Sequence, residues 1–141
     1  MKVKYKFQSN IPYSLHDMRV CGMEKEGKKS LRINFENGYV ECWEPFKQVN
    51  GSVIIEDVDF DCCKVYILSP NGGFGNFDGE KMELLNFIER YNQCTFEFID
   101  ETYGYNQVNY SGYLSIPDKK DLIEFNISIY YEGNIVYETE N

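Results

Sequence analysis

The chain has 141 residues, 43% of them hydrophobic and 26% charged, with 14 basic against 23 acidic side chains and a formal net charge of -9. That length and balance predict one globular domain, residues 1–141, with a core large enough to need no metal or disulfide staple. The apolar runs are far shorter than the roughly 20 residues of a membrane helix, and the acidity argues against nonspecific nucleic-acid binding, which needs clustered Lys and Arg.

Alanine is absent, whereas Tyr supplies 12 residues and Phe 10, a usage that favours pleated, half-buried strands over helices. At the start, Val3, Tyr5 and Phe7 alternate with Lys2, Lys4 and Lys6, which predicts a strand with one apolar and one basic face, suited to an exposed sheet edge. Residues 18–25 and 30–35 flank Glu26-Gly27-Lys28-Lys29 as a hairpin, with Leu31, Ile33 and Phe35 inward. Asn37-Gly38 is a tight-turn signal, so residues 39–43 are expected to return beside 30–35 and complete a three-stranded meander.

Residues 52–58 and 63–69 read as two further strands separated by the acidic segment 59–61. A glycine-rich stretch over 70–79 ends at Asp78, the expected N-cap of an amphipathic helix near 80–92, in which Met82, Leu85, Ile88 and Tyr91 recur at spacing three. Long alternating strands then follow: Phe96 and Phe98; Val108, Tyr110, Gly112, Leu114 and Ile116; Ile123, Phe125, Ile127, Ile129 and Tyr131. Residues 117–121 connect the last two, and Glu132-Gly133-Asn134 turns the chain into a terminal strand over 135–138. The predicted class is α+β, mainly antiparallel, with about ten short strands and one amphipathic helix in a sheet curled into a partial barrel or sandwich.

Five cysteines, an odd number without regular spacing or a secretory signal, point to reduced thiols in a cytoplasmic protein. Adjacent Cys62 and Cys63 point to opposite sides of an extended chain, which disfavours joint metal ligation. The single histidine, His16, precedes Asp17; the pair either ties a loop to the first strand or supplies acid-base chemistry, but no Ser lies in a GxSxG elbow to complete a triad. Asp57, Asp59 and Asp61 have the spacing that opens a calcium loop, yet Cys62 stands where Gly is required and Leu68 where the bidentate Glu belongs. In an extended segment those three carboxylates share one face, either as a solvated strand end or as a docking stripe for Lys and Arg. The loop with Phe74 and Phe77 matches neither GxGxxG nor GxxxxGK[ST], so no nucleotide is expected there. No catalytic residue, metal or cofactor is predicted.

Seven of the 12 tyrosines follow residue 102. Tyr113 and Tyr130 fall opposite in parity to the apolar faces of their strands and are expected to point outward, and Tyr103 and Tyr105 lie in a Gly-containing turn. Such residues either stack on a sugar or anchor a protein interface. Charge is unevenly placed: residues 1–32 hold eight basic and three acidic side chains, whereas 33–141 hold six and 20. That acidity either keeps a β-rich surface soluble or attracts a basic partner.

Leu15-His16-Asp17 ahead of the meander at 19–39, with Tyr103-Gly104-Tyr105-Asn106 and Ser111-Gly112-Tyr113-Leu114, resembles a group of small bacterial proteins. Chains of this layout are similar to β-rich immunity proteins of bacterial toxin systems. The resemblance implies a noncatalytic cytoplasmic protein that neutralises a toxin by binding it, and it supplies no catalytic residues. The expected binding residues are Asp57, Asp59, Asp61, Tyr103, Tyr105, Tyr113 and Tyr130, with a basic protein as partner. The alternatives are a small-ligand or carbohydrate domain using exposed tyrosines and, behind it, an enzyme using His16 and Asp17. Neither membrane nor nucleic acid is an expected partner, and the oligomeric state is left open.

Overall fold

Alternation of apolar and polar side chains needs a sheet with one face covered, and the computed structural model, which describes residues 1–6, 10–68, 79–117 and 122–140, has that form. The first half contributes β1 (Lys2–Tyr5), β2 (Tyr13–Ser14), β3 (Met18–Glu26), β4 (Ser30–Phe35), β5 (Tyr39–Glu41), β6 (Gln48–Val49) and β7 (Gly51–Ile55). After a 3₁₀ turn at Phe60–Cys62 come β8 (Lys64–Ile67), β9 (Glu80–Glu83), helix α1 (Leu84–Arg90), β10 (Thr95–Gly104), β11 (Gln107–Ser115), β12 (Leu122–Tyr130) and β13 (Ile135–Thr139). Ten strands form one open antiparallel sheet in the order β1-β13-β7-β4-β3-β10-β11-β12-β8-β9, and β2-β5-β6 form a second, three-stranded sheet.

The large sheet curls. Four strands separate β1 from β10, yet the Tyr5 and Tyr103 rings meet edge to face with centroids 5.5 Å apart, and the Tyr103 and Tyr137 hydroxyls lie 3.2 Å apart. The strand order therefore bends back on itself and closes its inner face around one core in which Phe98 stacks on Tyr110 at 4.6 Å. The small sheet packs on that core: the Tyr13 ring lies 5.1 Å from Tyr39 and from Tyr137 and 5.2 Å from Trp43. As expected, β1 is a sheet edge with Lys2, Lys4 and Lys6 exposed and Tyr5 buried, while Phe7 lies outside the described residues.

Two expectations are corrected. The hairpin β3-β4 forms, but residues 39–43 do not return beside β4; β5 pairs with β2 and β6, and β4 takes β7 as its second neighbour. The apolar run Val53-Ile54-Ile55 buries all three side chains at that position, which the shorter β5 could not. Gly38 alone of the turn pair has positive φ, at +73°, so the turn does not have the two positive angles of a tight hairpin, and it sends the chain out to the second sheet. The helix is also shorter than predicted: residues 80–83 pair with β8 as β9, and α1 begins after Glu83, while the expected cap Asp78 lies outside the described residues. Its core face is Leu84 and Phe87, and Leu85, assigned to the apolar stripe, is exposed. Pairing satisfies the backbone groups of β8 that a longer helix would leave without partners.

Candidate functional site

The segment carrying Asp57, Asp59 and Asp61 is not extended, which corrects the expectation of a one-faced carboxylate stripe. Asp57 is left-handed with φ 53°, Val58 bridges Tyr131, and Asp59 leads into the 3₁₀ turn, so the two-residue period is lost. The loop is instead laced to its neighbours. Val58 N–H donates to the Lys29 carbonyl at 2.7 Å, Asp59 N–H to Tyr130 at 2.9 Å, Glu132 N–H to Asp57 at 3.0 Å and Gly133 N–H to Glu56 at 3.2 Å, while Tyr131 N–H donates to Asn106 at 3.1 Å. Four turns thus meet as a hydrogen-bonded rim at one end of the sheet.

That rim encloses two adjoining hollows. One, of about 430 Å³, is lined by Lys29, Asp57, Val58, Asp59 and Glu132. The other, of about 420 Å³, is lined by Asp59, Cys62, Asn106, Tyr130, Tyr131 and Glu132, so Asp59 and Glu132 stand on the ridge between them. Among the described residues, Asp57, Asp59, Asp61 and Glu132 make no ion pair. The Cys62 thiol is held above its ordinary value by its hydrogen bond to Asp59 and that side chain's charge, and burial pushes Cys63 up to about 11, so both stay protonated at neutral pH.

The tyrosines divide. Tyr113 and Tyr130, 40% and 42% exposed, point outward as their parity predicts, and Tyr105 at the hairpin tip is 77% exposed. Tyr103 turns inward, a correction: its hydroxyl donates to Glu101 at 2.8 Å, and burial holds it well above the ordinary tyrosine value. The remaining three do not form one patch. Tyr130 lies opposite Gln107 and Tyr113 opposite Glu124, six residues along β11, or roughly 20 Å. Tyr130 and the Tyr105 tip therefore belong to the acidic rim, and Tyr113 does not. Sequence reasoning missed Glu132 and Asn106, whose place on the rim depends on long-range hydrogen bonds, and Tyr66, whose outward parity between inward Val65 and Ile67 was visible.

No protein-family model, curated protein or solved structure matches this chain.

His16 and Asp17 occupy a different region, where His16 lines a hollow of about 380 Å³ together with Ser14, Cys42, Asp100 and Glu101. A bulge at Ile99 in β10 frees the Ile99 carbonyl, which the His16 Nδ1 contacts, and Nε2 lies 3.2 Å from Asp17 Oδ2. The Ile99 hydrogen bond first, and Asp17 second, hold the imidazole above its ordinary value, favouring the imidazolium with both ring nitrogens donating. Engaged at both nitrogens, the ring ties its loop to β10 rather than to the first strand. Glu101 closes the same turn by accepting from Leu15 N–H at 2.6 Å, and burial raises its carboxyl. Burial likewise raises the Cys42 thiol, which disfavours the nucleophilic thiolate. Among the described residues no three His, Cys, Asp or Glu side chains converge to hold a metal, and no helix is long and apolar enough to cross a membrane.

Proposed function

We propose that this is a noncatalytic interaction protein that binds a basic protein partner through the rim carrying Asp57, Asp59, Glu132, Tyr105 and Tyr130. The observation that supports the reading is the combination of unpaired carboxylates with exposed tyrosines on backbone-laced turns. A one-signed face speeds encounter with an oppositely charged protein, and fixed turns limit the ordering cost on contact. The mode of action is steric occlusion, the role that resemblance to immunity proteins implies. Asp61 lies just beyond the rim and extends its field, since no cation pairs with its carboxylate among the described residues.

The decisive comparison is capture from native lysate by the native domain and by Asp59→Lys/Glu132→Lys, washed at low and high salt. Asp59 makes no side-chain capping bond, so the fold is expected to survive the reversal. A captured basic protein is expected to associate at least about tenfold more slowly with the variant, with a smaller salt dependence. Unchanged capture by a folded variant would remove the rim from the interface. The carbohydrate alternative draws less support, because Tyr103 is inward and Tyr105 and Tyr113 stand apart, so these three do not wall a common pocket.

A further inference from the structure

The rim's second hollow is asymmetric in a way that names a ligand group. Tyr130 supplies an outward ring, 42% exposed, and Asp59, Glu132 and Asn106 supply acceptors around the same space of about 420 Å³. We infer that this hollow is the seat for an arginine side chain of the basic partner, its guanidinium stacked on Tyr130 and its N–H groups directed to the Asp59 and Glu132 carboxylates. The inference rests on the rim being the partner-binding surface.

The chain contains its own example of this grip. Arg90 places its guanidinium 5.4 Å from the Tyr91 ring centroid and pairs with Glu80 at 2.7 Å, so one side chain satisfies an aromatic face and a carboxylate together. Lys81 similarly stands 5.7 Å from the Tyr66 ring and Lys25 5.1 Å from Phe60. Tyr130 has no such cation among the described residues, and the ridge carboxylates beside it make no ion pair, Asp59 accepting only the Cys62 thiol. The nearby Lys29 lines the adjoining hollow, with Asp57 on its wall, rather than this one. Charge complementarity alone would admit lysine. A planar cation is preferred because it can lie on the ring while its forked donors reach carboxylates at the side, which a compact ammonium cannot do.

The test is a nuclear magnetic resonance titration of the whole protein with N-acetyl-arginine methylamide and, separately, with the lysine analogue. Saturable shifts are expected at the Tyr130 ring and the Asn106 side-chain amide, with Tyr113 as a silent control on the far part of the sheet. The lysine analogue is expected to bind about threefold or more weakly. Asp59→Asn/Glu132→Gln should abolish the response with amide dispersion intact, and Tyr130→Phe should keep it while Tyr130→Leu loses it. Equal response to lysine, equal response at Tyr113, or persistence in the double amide variant would overturn the arginine seat. If that happens while Asp59→Lys/Glu132→Lys still slows partner capture, the rim stands and only the seat falls; arginine binding without any effect on capture would instead displace the rim from the interface.

Discussion

Alanine at Gly38 is expected to lower stability by roughly 3–5 kcal/mol, read as a shift in the urea midpoint. Gly38 holds φ +73°, a region that costs an L-residue roughly 1–2 kcal/mol. Its added Cβ would also stand 1.6 Å from the Val49 carbonyl oxygen and 2.7 Å from the Asn50 Cα, both backbone atoms. Neither can rotate away, so β6 must move, and β6 is paired with the strand that carries Tyr39. The Tyr39 hydroxyl, 2.8 Å from both the Ser52 and Glu138 carbonyls, anchors the small sheet to the large one. Gly27 separates the two causes, because it has φ +64° and nothing within 4 Å of an added Cβ. Gly27→Ala should therefore cost only about 1 kcal/mol. Equal losses at the two positions would show that the close approach of Gly38 to β6 is wrong.

Glu101→Gln should be more stable than the native chain at pH 7 and should lose that advantage at pH 4. Burial is the largest influence on the Glu101 carboxyl and raises it, outweighing the hydrogen bonds from Tyr103 and Leu15 that favour ionisation. The folded chain therefore holds this proton more tightly than the unfolded chain. Its stabilising contribution is complete below the unfolded value of about 4.3 and is lost as pH rises through the higher folded value. Glutamine keeps one oxygen for Leu15 N–H and cannot ionise, so the gap between the two proteins should widen over that interval. Glu138 has the opposite sign, since Arg32 first and Lys2 also hold its carboxyl low, but it is common to both proteins and cancels. Glu101→Leu tests the acceptor itself and should cost roughly 1–3 kcal/mol by stranding the Leu15 N–H. A gap that stays constant or narrows with rising pH would contradict the burial of Glu101.

The candidate site was partly legible for reasons that can be traced residue by residue. Tyr113 and Tyr130 were placed outward because side-chain direction in a strand follows parity, which is local. Tyr103 differs because Gly104 signals a turn over 103–106, whereas β10 runs on through Tyr103 to Gly104 and the β-bulge at Ile99 turns that ring inward, and nothing in the residue types announces a bulge. The acidic loop was recognised as charged, but its shape depends on Val58 bridging Tyr131 and on carbonyls from residues more than 25 positions away. Glu132 carries no local signal, because a carboxylate in a turn is ordinary until its partners across the rim are known.

By itself, the alternation of apolar and polar residues determined the β-rich class, the position of most strands, the hairpin β3-β4, the inner faces of β11 and β12, and that of β10 as far as Phe98. Those features depend on interactions within a strand or between chain neighbours, where the pleat dictates what is buried. Tertiary structure alone decided which strands became neighbours: that β7 rather than β5 completes β4, that residues 80–83 extend the sheet instead of a helix, and that β13 lies between β1 and β7. A backbone edge accepts any extended segment, so its choice is settled by how much apolar surface each candidate can bury and whether every buried N–H finds an acceptor. The same competition folded residues 57–62 into the rim that gathers the unpaired carboxylates around Tyr130.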